Sequence, residues 1–166
     1  MNQSSKAQVA LINQQIKELI GVYRDALRQL SVSESEFWIW YTLVSVGGER
    51  TQQDICNMWS LPKQTVNTVI TRMRLKKYAY LEAVPGSRNH KVVRLTDEGM
   101  RYGEALVLPV TRMEAKACEK ISHDELSLVN EIFGKYIEVI RGEFNGNVKT
   151  ERKRRKDIKS RNGEEI

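Results

Sequence analysis

From Lys63 to Lys77 the chain reads KQTVNTVITRMRLKK, fifteen residues rich in amide, hydroxyl and basic side chains and without one carboxylate, in a protein with 21 Asp and Glu. These groups suit the edges of nucleic-acid bases. Gln and Asn can pair bidentately with adenine, Lys and Arg donate to guanine, and a Thr methyl meets the thymine methyl; a good bidentate pair discriminates by about 1 to 3 kcal/mol. A carboxylate in such a segment would repel phosphate, so the gap points to an anionic partner. On a helix at about 100° per residue, Val66, Ile70 and Met73 fall on one side with Val69 at its margin, while Gln64, Thr68 and Thr71 fall on the other, flanked by Asn67 and Arg72. The competing reading is an ordinary solvated face.

The surrounding elements are those needed to present such a helix. TQQDICNMW is a second helical pattern, with only Ser60 and Leu61 between it and Pro62 at the head of the first, and opened by Thr51 as a cap, with Asp54 three residues on. Two abutting helices of this kind form a helix-turn-helix, whose second helix enters a major groove by its first turns. Lys63, Gln64, Thr65, Asn67 and Thr68 would lie there, with Thr71 and Arg72 a turn further on. Tyr78 to Val84 and Lys91 to Leu95 are rich in aromatic and β-branched residues and flank PGSRNH, the pattern of a hairpin. Arg88, His90, Lys91 and Arg94 make that hairpin basic. A basic hairpin beside a reading helix points to phosphate and minor-groove contact, with a solvated loop as the alternative.

The segment resembles the winged helix-turn-helix of the MarR family, the multiple antibiotic resistance regulators. The matching features are Thr51-Gln52 opening a helix, Ile55-Cys56 and Trp59 at apolar positions, the run LPKQTVNTVI, and Leu95-Thr96 with Gly99 closing the wing; element order and spacing match over roughly residues 7 to 145. The resemblance implies a homodimeric regulator of transcription that binds double-stranded DNA through Thr51, Lys63, Gln64, Thr65, Asn67, Thr68, Thr71, Arg72, Arg88 and Lys91. Four positions depart from the family pattern. Ser60 and Lys77 stand where the family often has Gly, and Ser87-Arg88-Asn89 aligns with the family's Asp-x-Arg, so the acidic anchor and the second basic residue are missing.

Before the reader, Ile12, Ile16, Leu19, Tyr23, Leu27 and Leu30 recur at steps of three or four, a helical stripe. Ser33 and Glu36 have capping-box spacing at the start of the next helix, FWIWYTLVSV, which ends at Gly47-Gly48. Its aromatic residues admit two readings, core packing or the wall of a pocket. The family binds small aromatic or anionic effectors near this helix, and Trp38 and Tyr41, which share a face, are the expected lining residues. Behind the reader, Thr96 should cap a long helix that contains Pro109 and bends there. Ser122 and Glu125 form a further capping box, followed by an apolar stripe through Val129, Phe133, Tyr136 and Ile140. This exceeds what one small lobe can cover. The first and last helices are therefore expected to bury Ile12, Ile16, Leu19, Tyr23, Val129, Phe133, Tyr136 and Ile140 against a second copy.

The expected architecture is mostly α with a small β-hairpin wing: a dimerisation helix over 1–32, the reading lobe over 33–96, dimerisation helices over 97–147 and a basic, disordered tail over 148–166. Net charge is +6, of which the eight Lys or Arg and four Asp or Glu after residue 148 contribute +4, so the body carries only +2. DNA affinity must then come from a local patch. Two cysteines do not make a disulfide framework, and Cys56 reads as a buried thiol. No apolar run reaches the length of a membrane span, and a cytoplasmic location is expected. The only histidines, His90 and His123, lack metal-site spacing with each other, and no phosphate loop or nucleophile with a recognisable base occurs, so neither enzyme activity nor a cofactor is expected. Cys118, His123 and Glu125 offer zinc-type donors but straddle a helix cap, which is the simpler reading. Two rival functions are a weakly specific architectural DNA binder and a dimeric adaptor that has lost DNA reading.

Overall fold

The computed structural model describes residues 3–84 and 91–161, with side chains to residue 146. In chain order the elements are α1 (Gln3–Gln29), α2 (Glu34–Tyr41) continued by a π-helical turn (Thr42–Val46), α3 (Gln52–Trp59), α4 (Lys63–Leu75), β1 (Ala79–Ala83), β2 (Lys91–Leu95), α5 (Asp97–Cys118) and α6 (His123–Arg161). The strands pair antiparallel, Ala79 opposite Leu95 and Ala83 opposite Lys91. Thr51 bridges to Val92, and the amide of Val93 donates to the carbonyl of Arg50, so the chain entering α3 lies along the hairpin's free edge. By compactness the chain divides into residues 1–114 and 115–166. Leu27 of α1 and Val107 and Val110 of α5 join the same core as α2, α3 and α4, across the boundaries expected at 32 and 96.

In that first unit Phe37, Ile39, Ile55, Val66 and Val107 are fully buried and Trp40 and Ile70 nearly so. Burying side chains of this size stabilises by about 1.5 to 3 kcal/mol each. The one buried polar side chain among the described residues, Thr42, is satisfied: its hydroxyl donates to the Trp38 carbonyl at 2.8 Å and accepts from the Trp59 indole at 2.6 Å. Thr96 ties the wing to α5. Its hydroxyl accepts from the Gly99 amide at 3.0 Å, capping the helix, and donates to the Lys77 carbonyl at 2.8 Å. Gly99 is needed there, since a Cβ would lie 1.9 Å from the Tyr78 carbonyl oxygen. α5 runs through Pro109 without a break in its assignment.

Three N-caps share one spacing and do not end alike. Thr51 with Asp54 closes a full capping box, and so does Ser122 with Glu125. Ser33 accepts from the Glu36 amide, but the Glu36 carboxylate leaves the box and reaches Arg72 on α4. The expected box at α2 is therefore only half made, because a guanidinium competes for its acid.

α6 belongs to the second unit and extends to Arg161 as a 39-residue helix. The helix enters the tail expected to start at residue 148, where TERKRRKDIKSR has no Gly or Pro and is dominated by good helix formers. Residues 162–166, the end of that tail, lie outside the described residues.

Ser60 (φ 53°) and Lys77 (φ 59°), the two positions that depart from glycine, both sit in the left-handed region. Ser60 ends α3, with its amide donating to Cys56, and Lys77 ends the turn after α4. That conformation disfavours a residue with a Cβ by about 1 to 2 kcal/mol, offset in part by the unfolded-state entropy of glycine. Ser60→Gly and Lys77→Gly should each raise stability by about 0.5 to 1 kcal/mol, read as a higher urea midpoint at unchanged slope.

Candidate nucleic-acid interface

α4 is oriented by its apolar side. Val66, Val69, Ile70 and Met73 are 0 to 5% exposed and join the cluster that includes Phe37, Ile39, Trp40 and Ile55. The opposite side is thereby turned outward: Lys63, Gln64, Asn67, Thr68, Thr71 and Arg72 are exposed and Thr65 is half-buried. Among the described residues nothing holds the amides of Gln64 and Asn67, whereas the Thr68 hydroxyl donates back to the Gln64 carbonyl at 2.8 Å. The N-cap is Pro62, which offers no side-chain acceptor to the first turn. Leu75, 81% exposed, lies on the outward side near the helix end.

The cations around this helix differ in availability. Arg72 donates to Glu36 at 2.5 Å, an ion pair reaching from α4 to α2. Arg94, expected to add to the wing's positive charge, is held by Glu49 at 2.5 Å and Glu82 at 2.7 Å. Those hydrogen bonds, Glu82's first, raise the guanidinium pKa further. Arg94 thus braces the base of the wing. Lys91 is exposed at the start of β2. Arg88 and His90 lie outside the described residues. Thr51 is half-buried, and its hydroxyl both accepts from the Asp54 amide and donates to the Asp54 carboxylate. Glu36, Glu49 and Glu82 were not legible as partners, because helix and strand spacing carries no signal for pairs 12 to 45 residues apart.

Trp38 and Tyr41 come together in a ring cluster. Trp38 stacks on Trp59 at 4.3 Å, and Tyr41 meets Trp38, Phe37 and Trp59 at 5.4 to 5.9 Å. The ring of Tyr23, expected at the dimer contact, lies 5.4 Å from Trp38, and its hydroxyl donates to Glu114 at 2.6 Å, a carboxylate 91 residues away. Ile12 and Ile16 are half-buried and Leu19 is 59% exposed. On α6, Val129 is 60% and Phe133 40% exposed, with Tyr136 and Ile140 half-buried. At the α6 start the Glu125 carboxylate accepts from the Ser122 hydroxyl and amide, which lowers its pKa and commits it to the cap. No group of three or more metal-ligand types comes together among the described residues.

Fold and site together define a winged helix-turn-helix protein. Neither family models nor curated proteins give a match to the sequence. Solved structures match the fold, which is that of MarR family regulators. A MarR family regulator from Neisseria meningitidis superposes with a TM-score of 0.76 at 23% identity, over 89% of this chain and 99% of that one. MepR of S. aureus in its DNA-binding conformation gives 0.65 at 19% identity, over 80% and 98%. The MepR–DNA complex gives 0.56 at 20% identity, over 79% and 96%.

Burial raises the Tyr41 pKa above its ordinary 10.0, and the charge and hydrogen bonding of Glu114 raise it further. The folded state therefore holds this proton more tightly than the unfolded chain does, a contribution fully present below 10.0 and lost as pH climbs through the raised value. Between about pH 9 and about pH 11 the urea midpoint of the wild type should fall further than that of Tyr41→Phe, measured by tryptophan fluorescence.

Proposed function

We propose that the chain is a sequence-specific regulator of transcription that binds double-stranded DNA as a homodimer and acts in the cytoplasm without catalysing a reaction or carrying a cofactor. The observation that carries this reading is the outward side of α4, free of carboxylates and rich in amides, held there by an apolar side locked into the core. Gln64 and Asn67 are the base readers, with Lys63, Thr65, Thr68 and Thr71 beside them. Arg88 and Lys91 of the wing and Thr51 make backbone contacts. The likeness in fold to a regulator solved on DNA supports the same use of the helix here.

Dimerisation draws on the apolar residues left open on α1 and α6. Val22, Leu19, Val129, Ile132 and Phe144 are each more than half exposed, an excess a monomer in water rarely keeps. A groove of about 500 Å³ between Val22, Leu30, Pro109 and Met113 continues the open surface of α1 within the first unit. No helix among the described residues is long and apolar enough to cross a membrane, so a second copy is the simplest cover. Two reading helices about 34 Å apart would enter successive major grooves of a pseudo-palindrome with half-sites about 10 base pairs apart. Repression follows by occluding a promoter. A small aromatic or anionic effector at the Trp38–Tyr41 cluster relieves it, provided it binds one spacing of the helices better than the other.

A dimeric adaptor without sequence preference is the second reading, favoured by the engagement of both Arg72 and Arg94 with carboxylates. Selection from random duplexes separates the two. A regulator enriches one palindromic motif by roughly a thousandfold or more over random DNA, whereas an adaptor or architectural binder enriches none. On the selected site Gln64→Ala and Asn67→Ala should each weaken binding by about 1 to 3 kcal/mol, with random-duplex affinity unchanged in fluorescence anisotropy. Sedimentation of the wild type should give a dimer at micromolar concentration, and Phe133→Glu should shift it to monomer with the reading lobe still folded.

A further inference from the structure

Glu36 sits at the third helical position of α2, where its spacing from Ser33 suits a capping box. The equivalent acids at the starts of α3 and α6, Asp54 and Glu125, both close their boxes. Glu36 does not; its carboxylate crosses to the guanidinium of Arg72 at 2.5 Å. Arg72 lies on the flank of the reading side of α4, and Lys76, one turn on, lines the same small recess as Glu36 and Arg72. With Glu36 ionised the three side chains sum to one positive charge; without it two bare cations would stand one turn apart at the edge of the helix offered to DNA. The Arg72 side chain is 49% exposed and the Glu36 side chain 22%, so the guanidinium stands within reach of a phosphate and the carboxylate occupies it in the absence of one.

We infer that Glu36 withholds Arg72 from DNA and so limits the non-specific, salt-dependent share of binding, leaving sequence preference to the amides of Gln64 and Asn67. This rests on the DNA-reading function proposed above. Phosphate contacts raise affinity for every sequence alike, and base contacts raise it for one, so an acid that occupies a flanking arginine increases the ratio between the two. Glu36 is a specificity-determining residue that never touches the nucleic acid.

The test compares wild type, Glu36→Gln, Arg72→Gln and the double variant on a random-sequence duplex and on the selected site across a salt series. Glu36→Gln keeps the backbone amide that donates to Ser33, so its thermal midpoint should match the wild type. It should bind the random duplex roughly 3- to 10-fold more tightly at low salt and steepen the slope of log affinity against log salt by about one, the signature of one more phosphate contact. The ratio of specific to random affinity should fall. In the Arg72→Gln background the same change should have little effect, because the cation it releases is gone. Unchanged or weaker binding by a folded Glu36→Gln, or an equal effect with and without Arg72, overturns the inference while leaving the regulator reading standing. A wild type that binds no duplex refutes that reading and this inference with it.

Discussion

Everything outward about α4 follows from what it hides. Val66, Val69, Ile70 and Met73 form one side of a short helix, and all four are seated in the core made by α2, α3 and the wing. A 13-residue helix is marginal in water without such packing. Anchoring one side against Phe37, Ile39 and Ile55 fixes rotation about the helix axis as well as position, and rotation is what decides which residues a groove could meet. Thr42 and the Trp38–Trp59 stack hold the two helices behind it, and Thr96 pins the hairpin to the start of α5.

Charge is arranged more sparingly than composition implies. The body of the chain carries little net charge, and two of the arginines near α4 are occupied by acids from other elements. Arg94 bridges Glu49 and Glu82, which makes it a brace at the root of the wing, while Arg72 faces Glu36 from α4 itself. Such pairs, exposed to water, add little to stability. Their consequence is to decide which cations are free; among the described residues Lys63 and Lys91 form no ion pair.

The outer helices pose the opposite problem. Tyr23 and Leu27 of α1, and Leu30 just beyond it, pack into the core of the first unit, yet Ile12, Ile16 and Leu19 are left partly or wholly open. α6 buries none of its described side chains despite a wide apolar stripe. Hydrophobic surface on this scale is stable in water only when covered, which is why assembly and DNA reading are proposed together.

The helix α4, its outward residues, the caps at Thr51, Thr96 and Ser122 and the order of the elements were all legible in the amino-acid sequence, because each depends on spacing within one short segment. Local periodicity separates Val66 from Gln64 without any knowledge of the fold. What the sequence could not determine are the partners that meet across distant segments: Glu36 leaving its own cap for Arg72, Glu49 and Glu82 closing on Arg94, and Glu114 meeting Tyr23 and carrying its charge to Tyr41. Only the tertiary structure decided these, because an ion pair or a buried hydroxyl is chosen by which side chains folding brings within about 3 Å, and linear order holds no record of that distance.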